Sequence, residues 1–154
     1  MKGYNRADLL SMRGVAYEIA AITGSKLLFE EPEDAKYVWN EHELPNTNIT
    51  VSNPEYAPFY CIAKIEGLKV EPAPKEWIGK LESSGMRSID NITDITNLIM
   101  LEYGQPMHAF DAKAVKDEEI IVRTSRKGER LTTLDGKTRD LKDSDLLIAD
   151  PLNA

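Results

Sequence analysis

His108 is the residue of this chain whose type and position are best suited to chemistry. It follows a Gly-Gln-Pro-Met run that begins at Gly104, directly after a predicted helix, so it lies where one element ends. An imidazole titrates near neutral pH and can hold water or a substrate hydroxyl by a hydrogen bond. His108 is therefore a candidate for hydrolysis or binding, and a purely structural, hydrogen-bonded histidine is the alternative that the residues leave open.

The helix before His108 carries a narrow polar stripe. The pattern predicts a helix that starts at Asn91, with Asp94 three residues later as its capping partner, and that stops before Gly104. At about 100° per residue, Thr96 and Asn97 fall on one side between apolar flanks. We expect a largely buried helix whose polar stripe is available to a ligand.

Several common sites are excluded by spacing. The chain contains no GxxxxGK[ST], GxGxxG, GxSxG or HExxH motif. The aspartates between 135 and 145 do not have calcium-loop spacing, so we expect turn residues there and no bound metal. Cys61 lies in a predicted strand and is expected to be a buried, inert thiol, whereas His42 is expected in an exposed acidic loop.

The elements that would position these residues follow from periodicity and from turn residues. A helix over 6–23, capped by Asn5 and ended by Gly24, has an apolar stripe with three- and four-residue steps. The remaining predicted elements are strands at 47–51, 59–65, 120–124, 130–133 and 146–149, a short helix at 75–81, and a hairpin turn at Asp135-Gly136.

This order predicts an α+β fold, with helices packed on a mixed or antiparallel sheet and a β-rich second half. We expect one domain over 1–154, made of an N-terminal helix at 1–24, a variable connection at 25–55 and a motif-bearing core at 56–154. The 154 residues suffice for one ordinary core.

The charge and the cysteine content limit which partners and which cellular compartment are expected. Nineteen Lys and Arg against 26 Asp and Glu give a net charge of −7, so any contact with nucleic acid should be local. A single cysteine fits a reducing compartment, and no signal or membrane segment is apparent. The expected location is the cytoplasm, without membrane contact.

Several blocks in register resemble the β subunit of bacterial phenylalanyl-tRNA synthetases, and in particular part of its editing domain. The most specific block contains the Gly-Gln-Pro-Met-His-Ala-Phe-Asp run. The matching blocks are Asn5–Met12, Gly14–Ala16, Gly85–Asn91, Asp94–Asn97, Met100–Asp111, Thr133–Gly136 and Ile148–Asp150.

The resemblance implies a ligase subunit that hydrolyses tyrosine wrongly attached to the tRNA for phenylalanine. It implies His108 as the catalytic residue and Thr96, Arg87, Asn97 and Gln105 as substrate-binding residues. Structural alternatives remain, because Arg87 could pair with Asp90 or Glu102, and the two amides could only satisfy backbone groups.

The implied partners are the tRNA for phenylalanine, an α subunit and a second β subunit in an α2β2 assembly, with tyrosine or tyrosyl-adenosine as the small ligand. ATP and magnesium are implied only for the whole enzyme, and no cofactor is implied for this part. We expect a C-terminal truncation after Ala154 that leaves the isolated chain inactive in editing. A non-catalytic scaffold that binds tRNA or a subunit is the main alternative, and an unrelated small-molecule-binding α/β protein is a further one.

Overall fold

The computed structural model describes residues 6–29 and 48–153, which form two compact units. The first unit contains 6–29 and 67–109, and the second contains 48–66 and 110–153. The elements in chain order are α1 (Met12–Thr23), β1 (Asn48–Val51), α2 (Lys75–Ser83), α3 (Asn91–Tyr103), β2 (Glu119–Thr124), β3 (Arg130–Thr132), β4 (Thr138–Asp140) and β5 (Leu146–Ala149). Among the described residues, no helix is both long and apolar enough to cross a bilayer.

The first helix begins later than predicted. A 3₁₀ turn at Ala7–Leu9 precedes it, and Ser11, in an extended conformation, caps α1 by accepting a hydrogen bond from the backbone N–H of Gly14 at 2.9 Å. A serine at this position favours the start of a helix, because its side chain accepts a hydrogen bond from a first-turn N–H that has no backbone acceptor. The predicted cap, Asn5, lies outside the described residues, and the predicted end at Gly24 is confirmed.

In the first unit, Arg13 joins α1 to α3. Its guanidinium carbon lies 4.5 Å from the centre of the Phe29 ring and 4.4 Å from that of the Tyr103 ring. Its Nε also donates to the carboxylate of Glu102 at 2.9 Å. Stacking on aromatic faces together with a charge-assisted hydrogen bond gives a half-buried arginine a fixed position.

The predicted positions of the other two helices are confirmed. In α2, Leu81 is fully buried and Trp77 and Ile78 are half-buried, as expected for one apolar face. Helix α3 covers the predicted range to Tyr103 and ends at Gly104.

The second unit is built on a three-stranded mixed sheet in the order β1-β2-β5. Strand β1 runs parallel to β2, and β5 pairs antiparallel with β2 on the other side. The buried apolar side chains of this sheet belong to β2 and β5, namely Ile120, Val122, Leu147 and Ala149, and Arg123 of β2 is buried as well. The α+β class with a mixed sheet is thus confirmed, and β5 has one strand partner in the described part of the chain.

The predicted hairpin is present between β3 and β4. The two strands pair antiparallel, with Thr132 opposite Thr138. The N–H of Thr133 donates to the carbonyl of Lys137 at 3.0 Å, and that of Gly136 donates to the carbonyl of Thr133 at 2.8 Å. The Asp-Gly pair therefore makes the turn that its residue types indicate.

The predicted strand over 59–65 is wrong. This segment has no assigned strand, and Phe59 and Ile65 are 81% and 67% exposed. Its β-branched and aromatic residues favour a strand, but within the described residues β2 is the strand that pairs with β1. Cys61 is exposed rather than buried. His42 lies outside the described residues.

A nearly buried ion pair closes the turn between β2 and β3. Arg123 Nη1 and Nη2 donate to the two carboxylate oxygens of Glu129, both at 2.8 Å, and the side chains are only 10% and 18% exposed. One of those oxygens also accepts the N–H of Arg126 at 2.7 Å. The hydrogen bonds from Arg123 and Arg126 lower the pKa of Glu129 to about 2.

This lowered pKa predicts a specific dependence of stability on pH. The ionised form of Glu129 is favoured by folding, so its contribution is complete above the unfolded pKa near 4.5 and is lost as the pH falls from there to about 2. Glu129→Gln should reduce the free energy of unfolding by roughly 1–3 kcal/mol at pH 7. Urea denaturation at several pH values should show that the difference from the parent shrinks below pH 4.5. A difference that stays constant down to pH 2.5 would contradict this assignment.

Candidate functional site

Helix α3 carries the centre of the candidate site, and its first turn is fixed by Asp90. The Asp90 carboxylate accepts the N–H groups of Ile92 at 2.9 Å and Thr93 at 2.8 Å, as well as the Thr93 hydroxyl at 3.1 Å. These hydrogen bonds, with that from the Thr93 N–H largest, lower the pKa of Asp90. The cap is therefore one residue earlier than predicted. Asn91 instead donates to the carbonyl of Lys69 at 3.0 Å.

Asp94 is the fully buried charged residue of this helix. One carboxylate oxygen accepts the Ser88 hydroxyl at 2.6 Å, and the other accepts the N–H of Ile89 at 2.9 Å. The sequence predicts a capping partner for Asn91, whereas Asp94 reaches past the cap to the two residues before it. The segment that carries Arg87 is thereby attached to α3.

Thr96 and Asn97 lie together in the middle of α3, and both are half-buried. The Thr96 hydroxyl donates to the carbonyl of Thr93 at 2.7 Å. The hydroxyl hydrogen of Thr96 is therefore used within the helix. The expected burial of the whole helix is wrong, because Asp94 alone is fully buried among residues 91–103.

Arg87, Gln105 and His108 are all exposed. The Gln105 amide donates to the carbonyl of Pro106 at 3.1 Å, in line with the structural alternative for this residue. The two acids considered as partners for Arg87 have other roles, since Asp90 caps α3 and Glu102 pairs with Arg13.

The chain leaves α3 through Gly104, which has a φ of +80°. A Cβ atom at this position would lie 3.2 Å from the carbonyl oxygen of Leu10, so conformation and close packing both require glycine. The segment with Gln105 and His108 begins at this turn. A helix of 13 residues is roughly 20 Å long, and the segments with Arg87 and His108 join its opposite ends, whereas Thr96 and Asn97 lie in its middle.

Two cavities lie elsewhere. One of about 180 Å³ in the second unit is lined mainly by apolar side chains, including Phe110, Val115, Ile120 and Ile148, with Asp111 and Asp150. Another of about 300 Å³ lies beside α1 and includes Ile19 and Leu28. Neither cavity is predicted from the sequence, although Phe110 and Asp111 belong to the same motif as His108.

Metal ligation has no support from geometry. In residues 6–29 and 48–153, no three His, Cys, Asp or Glu side chains are grouped as a metal site requires. The exposed imidazole, the half-buried hydroxyl and the amides are hydrogen-bonding groups. They suit the binding of a polar substrate and the positioning of water.

Comparison with known proteins supplies the family. Residues 56–154 match the family model described as the B3/4 domain. Phenylalanine–tRNA ligase β subunits from Carboxydothermus hydrogenoformans and Anaeromyxobacter dehalogenans are 45% and 43% identical, each over 95% of this chain. The β subunit from Staphylococcus haemolyticus is 39% identical over 94%. The chain spans about 18% of the length of these relatives. With almost two thirds of its residues inside the matched model, the chain belongs to the B3/4 domain family.

Proposed function

We propose that this chain is the part of a phenylalanine–tRNA ligase β subunit that hydrolyses tyrosine attached in error to the tRNA for phenylalanine. The observation that carries the proposal is the B3/4 match over 56–154, which contains Arg87, Thr96, Asn97, Gln105 and His108. The identity of 39–45% to ligase β subunits over most of the chain supports it.

The physical need for such a site is clear. A synthetic pocket shaped for phenylalanine rejects one added hydroxyl only moderately. A second pocket with a hydrogen-bonding partner for that hydroxyl can discriminate in the opposite direction, because phenylalanine would leave the partner unsatisfied.

His108 is proposed as the catalytic residue. Its exposed imidazole can hold water or the terminal ribose of the tRNA by a hydrogen bond, which orients the attack on the ester. Arg87, also exposed, is proposed to contact the nucleotide end, since a guanidinium pairs well with phosphate. Gln105 and Asn97 are proposed as further substrate contacts.

Thr96 is proposed to meet the substrate as a hydrogen-bond acceptor. Its single hydroxyl hydrogen is already donated to the carbonyl of Thr93. The hydroxyl oxygen keeps its two lone pairs, which suit a donor such as the ammonium group or the phenolic hydroxyl of tyrosine.

Replacement of Thr96 by Val tests this role, because it keeps the volume and removes the oxygen. If the hydroxyl accepts from the substrate, hydrolysis of tyrosyl-tRNA by the intact ligase should fall about three- to tenfold. The matched control is Thr93→Val, which removes a hydroxyl that bonds to Asp90 in the same helix. A large loss of stability with unchanged editing would mark Thr96 as structural.

The whole-enzyme setting is part of the proposal. It includes the tRNA for phenylalanine, an α subunit and a second β subunit, with ATP and magnesium serving the synthetic step alone. A translation enzyme of this type would work in the cytoplasm. The direct test is deacylation by the intact ligase, which should hydrolyse tyrosyl-tRNA far faster than phenylalanyl-tRNA. Equal rates would refute the proposal.

A scaffold that contacts another subunit is the second candidate. One observation favours it: α1 exposes four apolar side chains with helical spacing, namely Met12, Val15, Ile19 and Ile22, which are 63%, 42%, 55% and 76% exposed. A helix stripe of this kind is typical of protein contacts. Two results together would favour the scaffold. The Ile19→Asp variant would lose subunit assembly, and the parent ligase would show no editing activity.

A further inference from the structure

The β3–β4 region departs from the acidic character of the chain. Residues 123–145 contain seven Lys and Arg but five Asp and Glu, whereas the whole chain has a net charge of −7. A local excess of positive charge on an acidic protein marks where a polyanion can approach.

Four of the seven cations, including Lys137 with Asp135, are in ion pairs, and among the described residues Arg126, Lys127 and Lys142 are in none. Arg123 pairs with Glu129, Arg130 with Asp140, and Arg139 with Asp135. Arg126 and Lys127 are exposed neighbours at the tip of the turn, and in the part of the chain that the structure describes no ion pair is made by either. We call these two residues the basic turn.

The conformation of the basic turn is fixed by hydrogen bonds to Glu129. The N–H of Glu129 donates to the carbonyl of Arg126 at 3.0 Å, and Gly128 supplies the left-handed conformation with a φ of +74°. The Arg126 N–H donates back to the Glu129 carboxylate at 2.7 Å, which Arg123 holds with two hydrogen bonds. A turn that is already ordered loses less entropy when it binds.

We infer that Arg126 and Lys127 contact successive phosphate groups of the tRNA backbone. This inference rests on the proposed function, which makes tRNA the partner. A planar guanidinium and a point-charge ammonium on adjacent residues suit two neighbouring phosphates and read no sequence. The contact is also local, as an acidic chain requires.

The test measures the affinity of the intact ligase for the tRNA for phenylalanine as a function of NaCl concentration. In the variant Arg126→Ala/Lys127→Ala, the slope of log affinity against log salt should decrease in magnitude by about 1.4–1.8, as expected for two lost phosphate contacts. Affinity at low salt should fall about three- to tenfold. Thermal unfolding should be unchanged, because both side chains are exposed.

The control is Lys75→Ala/Lys80→Ala on α2, which changes the net charge equally at another place. An unchanged salt slope in the basic-turn variant, or an equal change in the control, would overturn the inference. Weaker subunit assembly with an unchanged slope would identify a protein contact and also overturn it. A parent ligase that does not bind this tRNA would instead refute the proposed function.

Discussion

His108→Ala should lower the hydrolysis of tyrosyl-tRNA by the intact ligase about tenfold to a thousandfold while phenylalanine attachment stays nearly unchanged. The expected range is that for one group that positions water or a substrate hydroxyl in the transition state. The imidazole is exposed on the segment after α3, so its removal should not disturb the helix. Deacylation of purified tyrosyl-tRNA and aminoacylation with phenylalanine measure the two activities separately.

The two activities serve as controls for each other, because the proposal assigns them to separate pockets. His108→Asn is a useful second variant, since it keeps one hydrogen-bonding group and should retain more hydrolysis than alanine. Equal loss of editing and aminoacylation would contradict the assignment of His108, and unchanged editing would remove it from the site.

Asp94→Ala should lower the free energy of unfolding by about 2–4 kcal/mol. The substitution removes the fully buried acceptor of the Ser88 hydroxyl and the Ile89 N–H, whose hydrogen bonds are partly buried, and each unsatisfied group costs about 1–3 kcal/mol. The cost should exceed that of most surface substitutions. Urea denaturation followed by circular dichroism measures it.

Asp94→Asn provides the matched control. Its amide oxygen can still accept the Ile89 N–H, and the Ser88 hydroxyl can rotate to accept from the amide nitrogen. This variant should lose only about 1 kcal/mol. Similar losses in the two variants would show that charge, and not the pair of hydrogen bonds, is what Asp94 contributes.

The sequence by itself determined the elements whose signals are local. The ends of α1 and α3 at Gly24 and Gly104, the helix after Pro74, and the Asp135-Gly136 hairpin all lie where the residues predict them. Capping, left-handed glycines and turn preferences act within a few residues, so helix ends and tight turns can be predicted without knowledge of the fold.

The tertiary structure decided the pairings and the burial. The β-branched and aromatic residues at 59–65 favour a strand but do not indicate a partner, and within the described residues β2 is the strand paired with β1 and β5. The position of the α3 cap, the burial of Asp94 and the exposure of Cys61 depend in the same way on what packs nearby. Strand partners and covering layers come from residues distant in the chain. A local sequence pattern does not show which of those residues will pair with it or pack against it.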